Sequence, residues 1–164
     1  MHQLVHELNA TFSSHGNTQK SVAMAAYMKN HFRFFGLQKN ERSSLQKSFL
    51  LDCKQLEIEA VHAIVRQLWQ MPERELQYTA MELLYGAQKK WNDSSLLLFE
   101  ELVTTKSWWD SVDFIAARMI GGDVVPPAMC YYSKLQGSGG KCRTCLVEVS
   151  KGSEADPRPM PKLV

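Results

Sequence analysis

Trp109 and Asp113 stand four residues apart, so a helix running through them sets an indole face and a carboxylate on one side of the same element. That pairing suits a site where a positively charged group is held between a π-face and a negative charge. The stretch Ser107-Trp108-Trp109-Asp110-Ser111-Val112-Asp113 reads as the beginning of such a helix, with Ser107 as acceptor cap and Asp110 as the acid of the first turn. A structural reading stands beside this one. Trp residues of small helical proteins are ordinarily core, and an Asp at a helix start ordinarily complements the dipole.

The elements that must position this pair are helices. Leu4, Val5, Leu8 and Phe12 recur at helical spacing and stop near Ser13-Ser14-His15-Gly16. Asn17 or Thr18 can cap a second helix that carries Val22, Met24, Ala25, Met28, His31, Phe32 and Phe35 and is expected to end at Gly36. Asn40 is expected to cap a third, with Leu45, Phe49 and Leu50 apolar. A fourth, from about Leu56 to Trp69, has Val61, Ile64, Val65, Leu68 and Trp69 on one stripe. Pro72-Glu73-Arg74-Glu75 reads as a restart, proline in the first turn and acids complementing the dipole, of a helix expected to reach about Lys90. Asp93 or Ser94 begins another, and the Trp-Trp helix follows. Short connections make neighbours stack, so residues 1–122 are expected to be all-α, a bundle or a solenoid of helical repeats.

From Gly121-Gly122 the pattern changes. Val124-Val125-Pro126-Pro127 is extended, Gly137-Ser138-Gly139-Gly140 is loop, and Leu146-Val147-Glu148-Val149 reads as a short strand. All four Trp and all five His precede this seam, whereas three of the four Cys and five of the six Pro follow it, which divides the chain into 1–122 and 123–164. A net charge of +2 is too small to announce a nucleic-acid partner by itself. No apolar run approaches bilayer length and the N-terminus lacks a signal peptide pattern, so no membrane association and a cytoplasmic location are expected.

Three stretches carry a family resemblance: Ala26-Tyr27-Met28-Lys29-Asn30-His31-Phe32, Leu68-Trp69 with Pro72-Glu73-Arg74-Glu75, and Lys106-Ser107-Trp108-Trp109-Asp110-Ser111-Val112-Asp113. Together they resemble the AlkD-like DNA alkylation repair enzymes, DNA glycosylases built of HEAT-like helical repeats. The resemblance covers residues 1–122. It implies excision of cationic N-alkylated purines from double-stranded DNA by hydrolysis of the N-glycosidic bond, with no cofactor. A base alkylated at a ring nitrogen leaves as a neutral group, and the sugar becomes oxocarbenium-like, which a nearby carboxylate stabilises. By the family pattern Asp113 takes that role, Trp109 offers its face to the cationic lesion or sugar, and Tyr27 lines the site. Lys29, Arg33 and Lys106 are candidates for gripping DNA phosphates, and a solvated helix surface explains them too. The family continues with further repeats and a catalytic arginine that nothing after Gly122 matches, so the chain is expected to be truncated and its activity impaired. A non-catalytic HEAT-type module binding DNA or protein is the alternative.

Residues 125–164 carry a second resemblance. Pro127-Ala128-Met129-Cys130-Tyr131-Tyr132 and Gly140-Lys141-Cys142-Arg143-Thr144-Cys145-Leu146-Val147-Glu148-Val149 resemble the N-terminal [2Fe–2S] ferredoxin-like domain of the large peripheral subunit of NADH–quinone oxidoreductase. The resemblance implies Cys130, Cys142 and Cys145 as cluster ligands, one short of the four a [2Fe–2S] cluster needs. Cys53 falls in a helical segment of the other part and reads as a buried structural thiol. The chain as a whole thus reads as a composite of two fragments, with an electron-transfer fragment as a further alternative.

Overall fold

The computed structural model describes residues 2–120. The expected extended and loop segments after Gly122, and the cysteines Cys130, Cys142 and Cys145, lie outside the described residues. The chain divides into two compact units, 1–106 and 107–164.

The described part of the first unit is all-α. It contains α1 (Gln3–Ser14), α2 (Thr18–Tyr27), α3 (Lys39–Leu45), α4 (Lys47–Cys53), α5 (Ile58–Gln70), α6 (Arg74–Gly86), a 3-10 turn (Gln88–Lys90) and α7 (Asp93–Thr104). The core hairpin is α5 with α6, the most extensively packed pair, joined across only three residues. On α5 the buried set Ile58, Val61, His62, Ile64, Val65, Leu68 and Trp69 makes one stripe, as its spacing predicts. The α6 helix is buried on nearly all sides, polar positions included: Arg74, Glu75, Gln77 and Thr79 are as enclosed as Leu76, Ala80, Leu83 and Leu84. A helix enclosed that way must satisfy its polar groups internally. In α6 the Thr79 hydroxyl does so by donating to Gln46 Oε1 at 2.7 Å, and on α5 Trp69 donates Nε1–H to the Thr105 carbonyl at 3.0 Å. His62, on α5, meets the Ser95 hydroxyl at 3.1 Å, and burial holds its pKa below the usual imidazole range.

Several expected boundaries move. Asn17 caps α2 as anticipated, its side chain accepting from the Lys20 N–H at 3.0 Å. That helix ends at Tyr27, nine residues before Gly36, in a Schellman motif. The Asn30 N–H donates to the Ala25 carbonyl at 2.7 Å and the Lys29 N–H to the Ala26 carbonyl at 3.0 Å. Lys29 and Asn30 take φ of 53° and 59°, values at which a non-glycine side chain crowds its own carbonyl. The apolar residues Phe34 and Leu37 are buried from a loop. Asn40 is not a cap either. Gln38 precedes α3, and its N–H donates to the Glu41 carboxylate at 2.8 Å. The expected third helix is two, α3 and α4, meeting at Gln46. Pro72 lies before α6, whose first residue is Arg74, and that helix stops at Gly86.

The strained Lys29 gives a direct expectation. Replacing Lys29 by Gly should raise the unfolding free energy by about 0.5–1 kcal/mol, since relief of the left-handed strain exceeds the extra entropy of glycine in the unfolded chain. Urea denaturation of the two proteins reads this; an unchanged or lowered midpoint would mean the turn carries no strain.

In the second unit the described elements are α8 (Trp109–Phe114) and a π-helical stretch, Ile115–Ile120. The expected cap, Ser107, is not used. The start is closed by Ser111, whose hydroxyl donates to the Trp108 carbonyl at 3.1 Å while the Trp108 N–H reaches back to it at 3.4 Å. Asp110 acts as the helix-start acid, its Oδ1 accepting the Ser111 N–H at 2.8 Å.

Candidate functional site

Trp109 and Asp113 both fall within α8, so the i, i+4 relation holds and they share one face. Trp109 is 49 % exposed although it is one of the largest apolar side chains, and Asp113 is half-buried. The Trp109 indole is thus half-open at the first turn of α8. Past Phe114 the i→i+5 bonding of the π-helical stretch changes the rotational register, and Ile115, Ala116 and Met119 turn inward. The aromatic–carboxylate pair is thus confined to the single α-helical turn and a half before the register changes.

The candidates in the first unit occupy the end of α2 and the loop after it. Tyr27, the last residue of α2, is 72 % exposed. Lys29 is exposed on the Schellman turn, and Arg33 is exposed with its guanidinium 3.4 Å from the Glu73 carboxylate. Tyr27, Lys29 and Arg33 therefore lie within seven residues on one connected surface segment. Lys106 has a different environment. Its ammonium donates to the last carbonyls of α5, Gln70 at 2.9 Å and Met71 at 2.7 Å, the arrangement that satisfies the end of a helix. Burial, reinforced by the Arg74 charge, holds its pKa below the ordinary lysine range.

Sequence reasoning read Glu73, Arg74 and Glu75 as helix-start charges; they organise the whole region. The Arg33 segment pairs with Glu73 in a single parallel bridge, the Arg74 N–H donating to the Arg33 carbonyl at 2.8 Å. The Arg74 guanidinium, fully buried, lies 3.9 Å from the centroid of Phe32 and donates to Gln77 Oε1 at 2.6 Å and to the Lys106 carbonyl at 2.9 Å. One cation thus holds the loop after α2, the first turn of α6 and the residue that precedes the Trp-Trp segment. Next to it the Glu75 carboxylate accepts three successive backbone N–H groups, Phe35 at 3.1 Å, Gly36 at 2.9 Å and Leu37 at 3.1 Å. Burial pushes the Glu75 carboxyl above its usual range, and these donors pull the other way. The only hint in the sequence was three consecutive charges at a helix start, a pattern that exposed termini share.

Among the described residues no group of three or more His, Cys, Asp or Glu side chains is arranged to hold a metal ion. No helix among them is long and apolar enough to cross a membrane.

The paired helices of the first unit define an all-α repeat fold, and in the second unit α8 carries an exposed indole and a carboxylate on one face. The comparisons sharpen this. The model of the DNA alkylation repair enzyme family matches residues 8–128. The chain belongs to that family. A solved structure, a predicted DNA alkylation repair enzyme from Enterococcus faecalis, is 32% identical over 60% of this chain, with a TM-score of 0.58. The match spans 46% of that protein's length, so this chain corresponds to about half of it. No curated protein matches.

Proposed function

We propose that the chain acts in DNA repair as a glycosylase on duplex DNA, releasing cationic N-alkylated purines by hydrolysis of the N-glycosidic bond. The observation that carries this reading is the Trp109–Asp113 pair, one face of α8, in a member of the DNA alkylation repair family. The half-open indole of Trp109 supplies a π-face for a cationic base, a contact worth about 0.5–2 kcal/mol. The Asp113 carboxylate stabilises the oxocarbenium-like sugar as the bond to the base breaks, and orients the water that completes the hydrolysis. The departing purine takes the bonding electrons and leaves neutral, so no strong general acid is required. Tyr27, Lys29 and Arg33 form the surface segment best suited to meet the duplex, the cations by neutralising phosphates.

Incubating the chain with duplex containing an N-alkylpurine and measuring abasic sites tests this. Asp113→Asn, nearly isosteric and uncharged, should slow base release by about 10²-fold or more, with the melting midpoint unchanged. Full activity in that variant would sink the assignment. A second reading, duplex binding without base release, rests on the exposed cations Lys29 and Arg33 of the segment after α2. It expects salt-dependent binding with no abasic product.

A further inference from the structure

A groove of about 590 Å³ lies between α4, α5 and the end of α6, and the repair reading makes no use of it. Leu50, Val61, Leu83 and Ala87 line it with the buried Cys53. Burial pushes the Cys53 thiol up to about 11, so at neutral pH it is one more uncharged wall. The exposed lysines Lys47, Lys54, Lys89 and Lys90 border the same space. Lys90 is committed to the fold, its ammonium donating to the carbonyls of Lys54 at 3.2 Å and Leu56 at 2.8 Å and so fixing one wall. The other three have no ion-pair partner among the described residues. Glu82 is the one carboxylate of the lining, and it is occupied by the Arg42 guanidinium at 2.5 Å and by the Gln46 amide.

An apolar, concave space of this size with a few charges of one sign at its border has the build of a small-molecule site. We propose that the groove binds a single-chain amphiphilic anion as a monomer from solution, the chain along Leu50, Val61 and Leu83 and the acidic head among Lys47, Lys54 and Lys89. Neutral apolar molecules would leave the three cations without a counter-charge, and small inorganic anions would leave the apolar lining wet. The matching occupant has both parts.

Gly86 supplies the test. It lines the groove, and a Cβ built there meets nothing within 4 Å, so a larger side chain enters open space instead of the core. Calorimetric titration of the full chain with sodium decanoate, below its micelle-forming concentration, should show saturable binding of one molecule per chain. Decyl maltoside, with an equal chain and no charge, and sodium acetate, with the charge and no chain, should each bind at least tenfold more weakly. Gly86→Leu should lose decanoate binding by tenfold or more with its melting midpoint kept or raised, since leucine is the better helix former. Lys47→Glu with Lys89→Glu should weaken decanoate and leave decyl maltoside unchanged. Absent saturation, equal binding of the uncharged amphiphile, or undiminished binding by Gly86→Leu overturns the proposal. So does a concentration-dependent dimer that Gly86→Leu abolishes, which would give the groove to a second copy of the chain.

Discussion

Replacing Glu75 by alanine is expected to lower the unfolding free energy by about 3–5 kcal/mol, the result of leaving several buried N–H donors without an acceptor. The loss has a specific origin. Three N–H groups, of Phe35, Gly36 and Leu37, converge on one carboxylate in a region that is closed to water at Gly36, Leu37 and Glu75. Each orphaned donor costs about 1–3 kcal/mol when no water can replace the acceptor, and partial relaxation of the loop reduces the sum. Glu75→Gln keeps one carbonyl oxygen for Gly36 and Leu37 and presents an amide N–H₂ to the Phe35 N–H, so it should cost about 1–3 kcal/mol. The ordering of wild type, Gln and Ala in urea midpoint is the measurement. A loss below about 1 kcal/mol in the alanine variant would show that the loop finds other acceptors. Typical domains have only about 5–15 kcal/mol in total, so Glu75→Ala should approach global instability.

The second large effect is expected at the other end of the same hydrogen bonds. Gly36 has φ of +90°, and a Cβ there would lie 2.1 Å from the Asn17 carbonyl oxygen and 2.8 Å from the Ser21 N–H nitrogen. Both neighbours are backbone and cannot rotate away. The Asn17 carbonyl is engaged in α2, accepting from Ser21 at 2.8 Å, and the Asn17 N–H donates to the Phe35 carbonyl at 2.8 Å. Gly36→Ala therefore strains the backbone and separates the loop from the start of α2, for an expected loss of about 3 kcal/mol or more. Because the displaced Gly36 N–H is one of the donors to Glu75, the two sites are coupled. The double variant Glu75→Ala with Gly36→Ala should lose less than the sum of the singles, by about 0.5–3 kcal/mol. Strict additivity in thermal or urea unfolding would mean the loop and the carboxylate are independent.

Much of the helical organisation is legible because its signals are local. The α5 stripe needs only the 3.6-residue period, the Asn17 cap only its own side chain and an N–H three residues on, and the Trp109–Asp113 relation only that one helical turn forms. The end of α2 was less legible. Met28, Phe32 and Phe35 continue its apolar spacing, yet the chain leaves the helix at Tyr27 because Phe35, Gly36 and Leu37 are held by Glu75, about forty residues away. Ser107 offered an acceptable cap by residue type, and the hydroxyl of Ser111, three residues past Trp108, serves instead.

What the sequence determined by itself is the family, the all-α class and the placing of Trp109 and Asp113 on one helix face. The tertiary structure decided which charges are working parts of the fold. Arg74 and Glu75 have the same letters as the exposed charges around them, and only the packing of α6 on every side removes them from water. Lys106 was one more surface cation in the sequence; folding delivers it to the last carbonyls of α5, thirty-five residues upstream. Desolvation and distant hydrogen-bond partners are properties of the assembled chain, and no periodicity along the sequence encodes them.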